Sequence, residues 1–179
     1  MGVRECRGAG KLKAIIFDWG DTLMCDFREF QGPMVHWPHV ELIPGVEEAL
    51  EQLHERFICC AASNADDSDA ELMGQALARV GIRQYFHYLF TSKELGASKP
   101  HPDFFRRILQ RLEIKPAECV VVGNDYKKDI FPAKSIGMYT VWLTESTRVD
   151  AAPGADEMID SMCDLPDAVE KLVFEEYSV

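Results

Sequence analysis

The 179-residue sequence has no apolar run near the roughly 18–20 residues that cross a bilayer, and residues 1–13 carry no apolar block of the kind that opens a secretory leader. A membrane role is excluded on that pattern, and a soluble, cytoplasmic chain is expected. Basic stretches are also missing: 19 Lys and Arg face 30 Asp and Glu, for a formal charge of −11. Nucleic acid as a general ligand and anionic membranes are thereby disfavoured. No Cys-x-x-Cys pair occurs among the cysteines at 6, 25, 59, 60, 119 and 163, and Cys59, Cys60 and Cys119 lie in apolar runs where free Cys acts as a small hydrophobe. Reduced thiols are expected, not a disulfide framework. With no repeat or low-complexity tract, and with 47% hydrophobic and 27% charged residues, the chain reads as one globular domain over 1–179, with residues 1–12 as a flexible N-terminus.

What is present is a series of short continuous apolar runs. They are Ala14-Ile15-Ile16-Phe17, Phe57-Ile58-Cys59-Cys60-Ala61-Ala62, Cys119-Val120-Val121-Val122 and Tyr139-Thr140-Val141-Trp142-Leu143, with a weaker one at Tyr88-Leu89-Phe90. Continuous hydrophobicity implies strands covered on both faces. Helical stripes lie between them: Val46, Ala49, Leu50 and Leu53; then Leu72, Ala76, Leu77 and Val80 behind a capping box at Ser68-Asp69-Ala70-Glu71; then Phe104, Phe105, Ile108, Leu109 and Leu112; then Ala168, Val169, Leu172 and Val173. The alternation predicts an α/β, three-layer αβα, Rossmann-like domain around a parallel sheet of about five strands. Residues 24–43 show no period and stand as a flap or minimal cap, and 145–155 reads as a surface loop.

In an open parallel sheet, ligands bind beyond the carboxyl ends of the strands, where strand order reverses. The residues just after the apolar runs are Asp18, Trp19, Gly20, Asp21 and Thr22, then Ser63 and Asn64, and then Gly123, Asn124 and Asp125 with Asp129 a turn later; Lys99 lies in Ser98-Lys99-Pro100. Together they would supply carboxylates, one ammonium and a hydroxyl. Hard oxygen donors suit Mg²⁺, while an ammonium and a hydroxyl suit a phosphoryl group. Each residue also has a plainer reading: Asp18 as a turn residue, Ser63 as a helix cap, Lys99 as a solvated loop residue, Trp19 as core.

Phe17-Asp18-Trp19-Gly20-Asp21-Thr22-Leu23, then Ser63, then Lys99-Pro100, then Gly123-Asn124-Asp125 with Asp129, resembles the four ordered motifs of the haloacid dehalogenase superfamily. The resemblance spans about residues 13–143, and it is the order of the four that makes it specific. It implies Asp18 as a nucleophile that also ligates Mg²⁺, and Ser63 with Asn64 and Trp19 at the substrate. It implies Lys99 as the cation pairing nucleophile and phosphate. It further implies the Gly20 carbonyl, Asn124, Asp125 and Asp129 around the metal, with the choice between Asn124 and Asp125 left open.

Gly20 departs from the family's phosphatases, which carry at that place an Asp that protonates the leaving alcohol and activates water. Loss of such a group is typically worth 10²–10⁴ in rate, and Asp21 could replace it only through an unusual turn. The resemblance therefore implies a Mg²⁺-dependent phosphatase of modest activity, acting on a small phosphorylated metabolite or a phosphorylated macromolecule. Alternatives are a phospho-ligand- or protein-binding member and a 2-haloacid dehalogenase. Phosphonate cleavage, which in the family resembled uses a Lys from a cap domain, is disfavoured because no Lys lies between 24 and 62. Asp18 to Ser63 spans 45 positions and Ser63 to Lys99 spans 36, too few for a cap domain once their helices and strands are subtracted. An open site is expected, covered by 24–43, by a bulky substrate or by a second copy of the chain.

Overall fold

Every predicted apolar run forms a strand in the computed structural model, which describes residues 12–64, 67–144 and 154–175. The strands are β1 (Ala14–Phe17), β2 (Ile58–Ser63), β3 (Tyr88–Thr91), β4 (Cys119–Gly123) and β5 (Tyr139–Leu143). A sixth, β6 (Glu157–Ile159), extends the sheet beyond the five expected, because its three residues make no apolar run and pair only with β5. All pairings are parallel, in the order β3-β2-β1-β4-β5-β6. The chain leaves β1 for β2 on one side and returns to β4 on the other, so the crevice opens between the carboxyl ends of β1 and β4.

Helices α1 (Val46–Leu53), α2 (Ala70–Arg79) and α6 (Leu165–Glu175) cover one face. The other is covered by α3 (Ser92–Leu95), α4 (Asp103–Leu112) and α5 (Phe131–Ser135). The faces divide by the strand period of two: Ile15, Phe17, Cys59, Ala61, Val120 and Val122 join the first core, Ala14, Ile16, Cys60, Ala62, Cys119 and Val121 the second. At α2 the cap falls one residue later than the sequence suggests, since the Asp69 side chain and not that of Ser68 accepts the Leu72 N–H at 3.0 Å. The described cysteines are free, and Cys6 lies outside the described residues. So do residues 1–11 of the expected N-terminus and 145–153 of the expected loop; Leu12 is already buried. Among the described residues no helix is long and apolar enough to cross a membrane.

The unpatterned 24–43 segment is a strap whose two ends are tied together. Cys25 N–H donates to Glu41 O at 2.9 Å and Ile43 N–H to Leu23 O at 2.9 Å. Its tip lies on α2, where the Arg79 guanidinium donates to the carbonyls of Val35 at 2.7 Å and Trp37 at 2.8 Å. Phe30 packs on Phe27 at 5.9 Å and on Trp37 at 5.5 Å between ring centroids. Met34 and Trp37 are buried, each worth roughly 1.5–3 kcal/mol as an apolar anchor. The aromatics thus form a local cluster that obeys neither helical nor strand period.

Candidate active site

The nine positions given roles by the resemblance, Asp18, Trp19, Gly20, Ser63, Asn64, Lys99, Asn124, Asp125 and Asp129, line one cavity of about 560 Å³ at the carboxyl edge of the sheet. Its floor is an ion cluster. Lys99 is only 6% exposed, and its three ammonium protons have three acceptors: an Asp18 carboxylate oxygen, Asp129 Oδ1 at 2.8 Å and the Ala62 carbonyl at 3.3 Å. Burial works against the ammonium, but the carboxylates of Asp18 and Asp129 outweigh it, and the Lys99 pKa rises. Asp129, 1% exposed, moves up from the ordinary carboxylate value through burial and the neighbouring Asp18 charge, with Lys99 opposing. Lys99 is held by its backbone: Asn64 Oδ1 accepts its N–H at 2.8 Å, and Asn64 Nδ2 donates to its carbonyl at 2.7 Å. The Asn64 amide, expected at the substrate, is therefore engaged in fixing the lysine loop.

Thr22, which the sequence reading placed at the strand end but gave no role, ties two motifs together. Fully buried, its hydroxyl lies 3.0 Å from Asp18 Oδ2 and 3.3 Å from Asn124 Oδ1, and it accepts the Asn124 N–H at 3.1 Å. Its single proton goes to the closer, charged Asp18 oxygen. On the other side, Trp142 Nε1 donates to the Asn124 carbonyl at 3.0 Å. The Asp18 carboxylate and the Asn124 amide oxygen thus converge on one hydroxyl. The only available signal was the position of Thr22, four residues after Asp18 in the same turn.

The remaining carboxylates are engaged differently. Asp125 Oδ1 accepts the N–H groups of Lys127 at 2.9 Å and Lys128 at 3.0 Å, capping the π-type turn Tyr126–Ile130 that carries Asp129. Asp129 Oδ2 accepts the Asp125 N–H at 3.2 Å, so both its oxygens are bonded. Asp21 does adopt an unusual turn, with φ of 56°, but its Oδ1 accepts the Asp26 N–H at 3.0 Å. Ser63 ends β2, half-buried at the cavity, and Trp19 belongs to both core and cavity wall. Among the described residues no three His, Cys, Asp or Glu side chains cluster as a metal cage.

Gly123 is required by close approach. A Cβ there would lie 2.5 Å from both Cβ and Oδ2 of Asp129, so Asp129 and the turn carrying it would have to move. Gly123→Ala is expected to cost about 1–3 kcal/mol, read as a fall in the thermal midpoint. Turnover should fall with it as Asp129 leaves Lys99. An unchanged midpoint would show that the turn yields freely.

A family model for haloacid dehalogenase-like hydrolases matches residues 27–137. A glyceraldehyde 3-phosphate phosphatase of Methanocaldococcus jannaschii is 39% identical over 100 residues, covering 55% of this chain and 44% of that protein. A ribulose-1,5-bisphosphate 5-phosphatase of Halopiger xanaduensis is 32% identical over 139 residues, covering 73% and 57%. The chain thus spans about half the length of these curated relatives. A crystal structure of a protein from Listeria monocytogenes serotype 4b superposes with a TM-score of 0.79 at 28% identity, covering 90% of this chain and 98% of that one. A HAD phosphatase from Thermococcus onnurineus shares the fold at a TM-score of 0.70 and 19% identity, covering 88% and 98%.

Proposed function

The chain belongs to the haloacid dehalogenase-like hydrolases, and from that premise we propose that it is a Mg²⁺-dependent phosphatase working through an aspartyl-phosphate at Asp18. The observation that carries this reading is the buried Lys99 ammonium shared by Asp18 and Asp129 at the cavity floor. A carboxylate next to a fixed cation can receive a phosphoryl group without adding a second negative charge to an uncompensated site. In the first step an Asp18 oxygen forms a bond to phosphorus as the ester oxygen departs. In the second, water attacks phosphorus and the Asp18 carboxylate is released with inorganic phosphate. Thr22 and Lys99 hold the two Asp18 oxygens in place throughout, and the Ser63 hydroxyl stands ready for a phosphoryl oxygen.

The donor set suits Mg²⁺, which is ordinarily bound by one or two carboxylates with water and substrate phosphate and not by an all-protein cage. Asp18, the Asn124 amide oxygen and the Gly20 carbonyl would hold the ion, whose chemistry when bound is to neutralise phosphoryl oxygens. Asn124 is preferred to Asp125, whose carboxylate caps a turn, and Asp129 acts through Lys99. The substrate class we assign is a small phosphorylated metabolite. Support comes from the named activities of the two relatives and from Arg28 and Lys128 at the cavity, cations suited to an anionic molecule.

The test is phosphate release from a panel of phosphate esters and acyl phosphates, with Mg²⁺ and after chelation. Turnover is expected with the metal, falling by at least about ten-fold on chelation and returning on Mg²⁺ addition. Halide release from 2-haloacids without metal would identify a dehalogenase instead. A folded protein that binds Mg²⁺ and phosphate without turnover would make it a binding member.

A further inference from the structure

Resting on the phosphatase reading, we infer that Asp26 is the proton-transfer residue of this site, its side chain standing beside the position where Gly20 carries none. Each step at Asp18 moves one proton. A protonated Asp26 gives its proton to the departing ester oxygen, releasing an alcohol. The resulting carboxylate then takes a proton from the water attacking phosphorus, which restores Asp26 and yields phosphate. The two steps sum to ester plus water giving alcohol plus phosphate, with no other reactant.

The geometry singles out Asp26 among the cavity carboxylates. Asp18 and Asp129 share Lys99, Asp125 caps the turn after β4, and Asp21 holds the Asp26 N–H. The Asp26 carboxylate lines the same cavity and accepts no hydrogen bond from the described residues. It stands over Gly20: a Cβ built there would lie 3.5 Å from Asp26 Cβ and 3.6 Å from its Oδ2. A side chain on residue 20, two residues beyond Asp18, and the side chain of Asp26 would therefore lie against each other at ordinary contact distance, facing the same part of the cavity.

The chain is returned there by construction. Asp21 takes φ of 56°, its N–H donates to Met24 O at 2.7 Å, and its carboxylate pins the Asp26 N–H at 3.0 Å. The backbone from which the exposed Asp26 carboxylate projects is thereby held at the cavity, and position is what general acid–base catalysis requires before any tuning of acidity. Asp67 also lines the cavity, but it follows β2, and among the described residues no hydrogen bond or ion pair ties it to this turn.

The experiment compares the full chain with Asp26→Asn, Asp67→Asn and Asp26→Asn/Gly20→Asp, on p-nitrophenyl phosphate and the closely similar phenyl phosphate. Phenolate leaves poorly without a proton, whereas p-nitrophenolate leaves readily. Asp26→Asn is expected to lower kcat on phenyl phosphate by about 100-fold and to change that on p-nitrophenyl phosphate far less. Asp67→Asn should leave the ratio of the two rates unchanged. Adding Gly20→Asp should restore phenyl phosphate turnover, since its Cβ meets only ordinary contact distances.

Equal losses on both substrates, or no loss on phenyl phosphate, in a variant with the wild-type melting profile would overturn the inference. So would a wild type that cleaves p-nitrophenyl phosphate through Asp18 yet cannot cleave phenyl phosphate. A wild type inactive on both removes the phosphatase reading, and the inference with it.

Discussion

Replacing Asp18 by Asn is expected to lower phosphate release by at least about four orders of magnitude while the protein stays folded. An amide has no lone pair basic enough to displace an alkoxide from phosphorus, so both steps at this residue stop. The site itself should hold. Asn is nearly the same shape, Thr22 can still donate to its oxygen, and Lys99 keeps Asp129 and the Ala62 carbonyl. Charge even improves: two carboxylates around one ammonium become one. The Asp18 charge is among the causes that raise the Asp129 pKa, so its removal relieves that neighbour. Thermal unfolding should therefore shift little, in the upward direction if at all. A folded variant retaining activity within about ten-fold of the wild type would take the nucleophile's role away from Asp18.

Lys99→Met should be the most damaging change to both folding and activity. Met fills a similar volume beside Phe104, whose ring lies 5.6 Å from the ammonium, so the loss is one of charge and hydrogen bonds more than packing. It leaves Asp129, 1% exposed, with Asp18 as its neighbour and no cation between them. Breaking a buried pair in this way costs about 3–5 kcal/mol, and for a chain of this size that lowers the midpoint by about 10 °C or more. Turnover should fall by about 10³-fold or more, because nucleophile and phosphate would then repel.

Two further readings separate charge from shape. Lys99→Met/Asp129→Asn should regain much of the stability without regaining activity. The sign with pH also follows. Burial and Asp18 hold the Asp129 pKa above its unfolded value of about 3.9, so its contribution is complete below that value and is lost as pH rises through the folded one. The deficit of Lys99→Met should accordingly be larger at neutral pH than at mildly acidic pH. A deficit that stays constant, with no recovery in the double variant, would mean that the lysine acts through packing.

Period and punctuation were enough to place β1 to β5 and the long helices, because a strand buried on both faces must be apolar throughout and a surface helix must keep one apolar stripe. β6 escaped because Glu157, Met158 and Ile159 are addressed to an edge position that only the neighbouring β5 defines. The strap at 24–43 escaped for a related reason: its Phe27, Phe30 and Trp37 pack on one another, and its tip is tied by an arginine about 40 positions later in the chain.

The same division runs through the site. Asp18, Ser63 and Asn124 are legible because the carboxyl ends of parallel strands are where such a sheet must carry its chemistry, whereas Lys99, beyond α3, and Asp129, in the turn after β4, were picked out by the order of motifs that resemble the family's. That much the sequence determined by itself, together with the gap at Gly20. What each carboxylate is engaged with belongs to the tertiary structure. Register between β1 and β4 brings the Thr22 hydroxyl to Asn124, 102 positions away. The turn after β4 directs Asp125 to backbone amides, and the left-handed Asp21 swings Asp26 over Gly20. Residue types and spacing state which groups are available; distances of about 3 Å between groups far apart in sequence are decided only when strands pair and turns close, because hydrogen bonding and charge compensation act over that range and no longer.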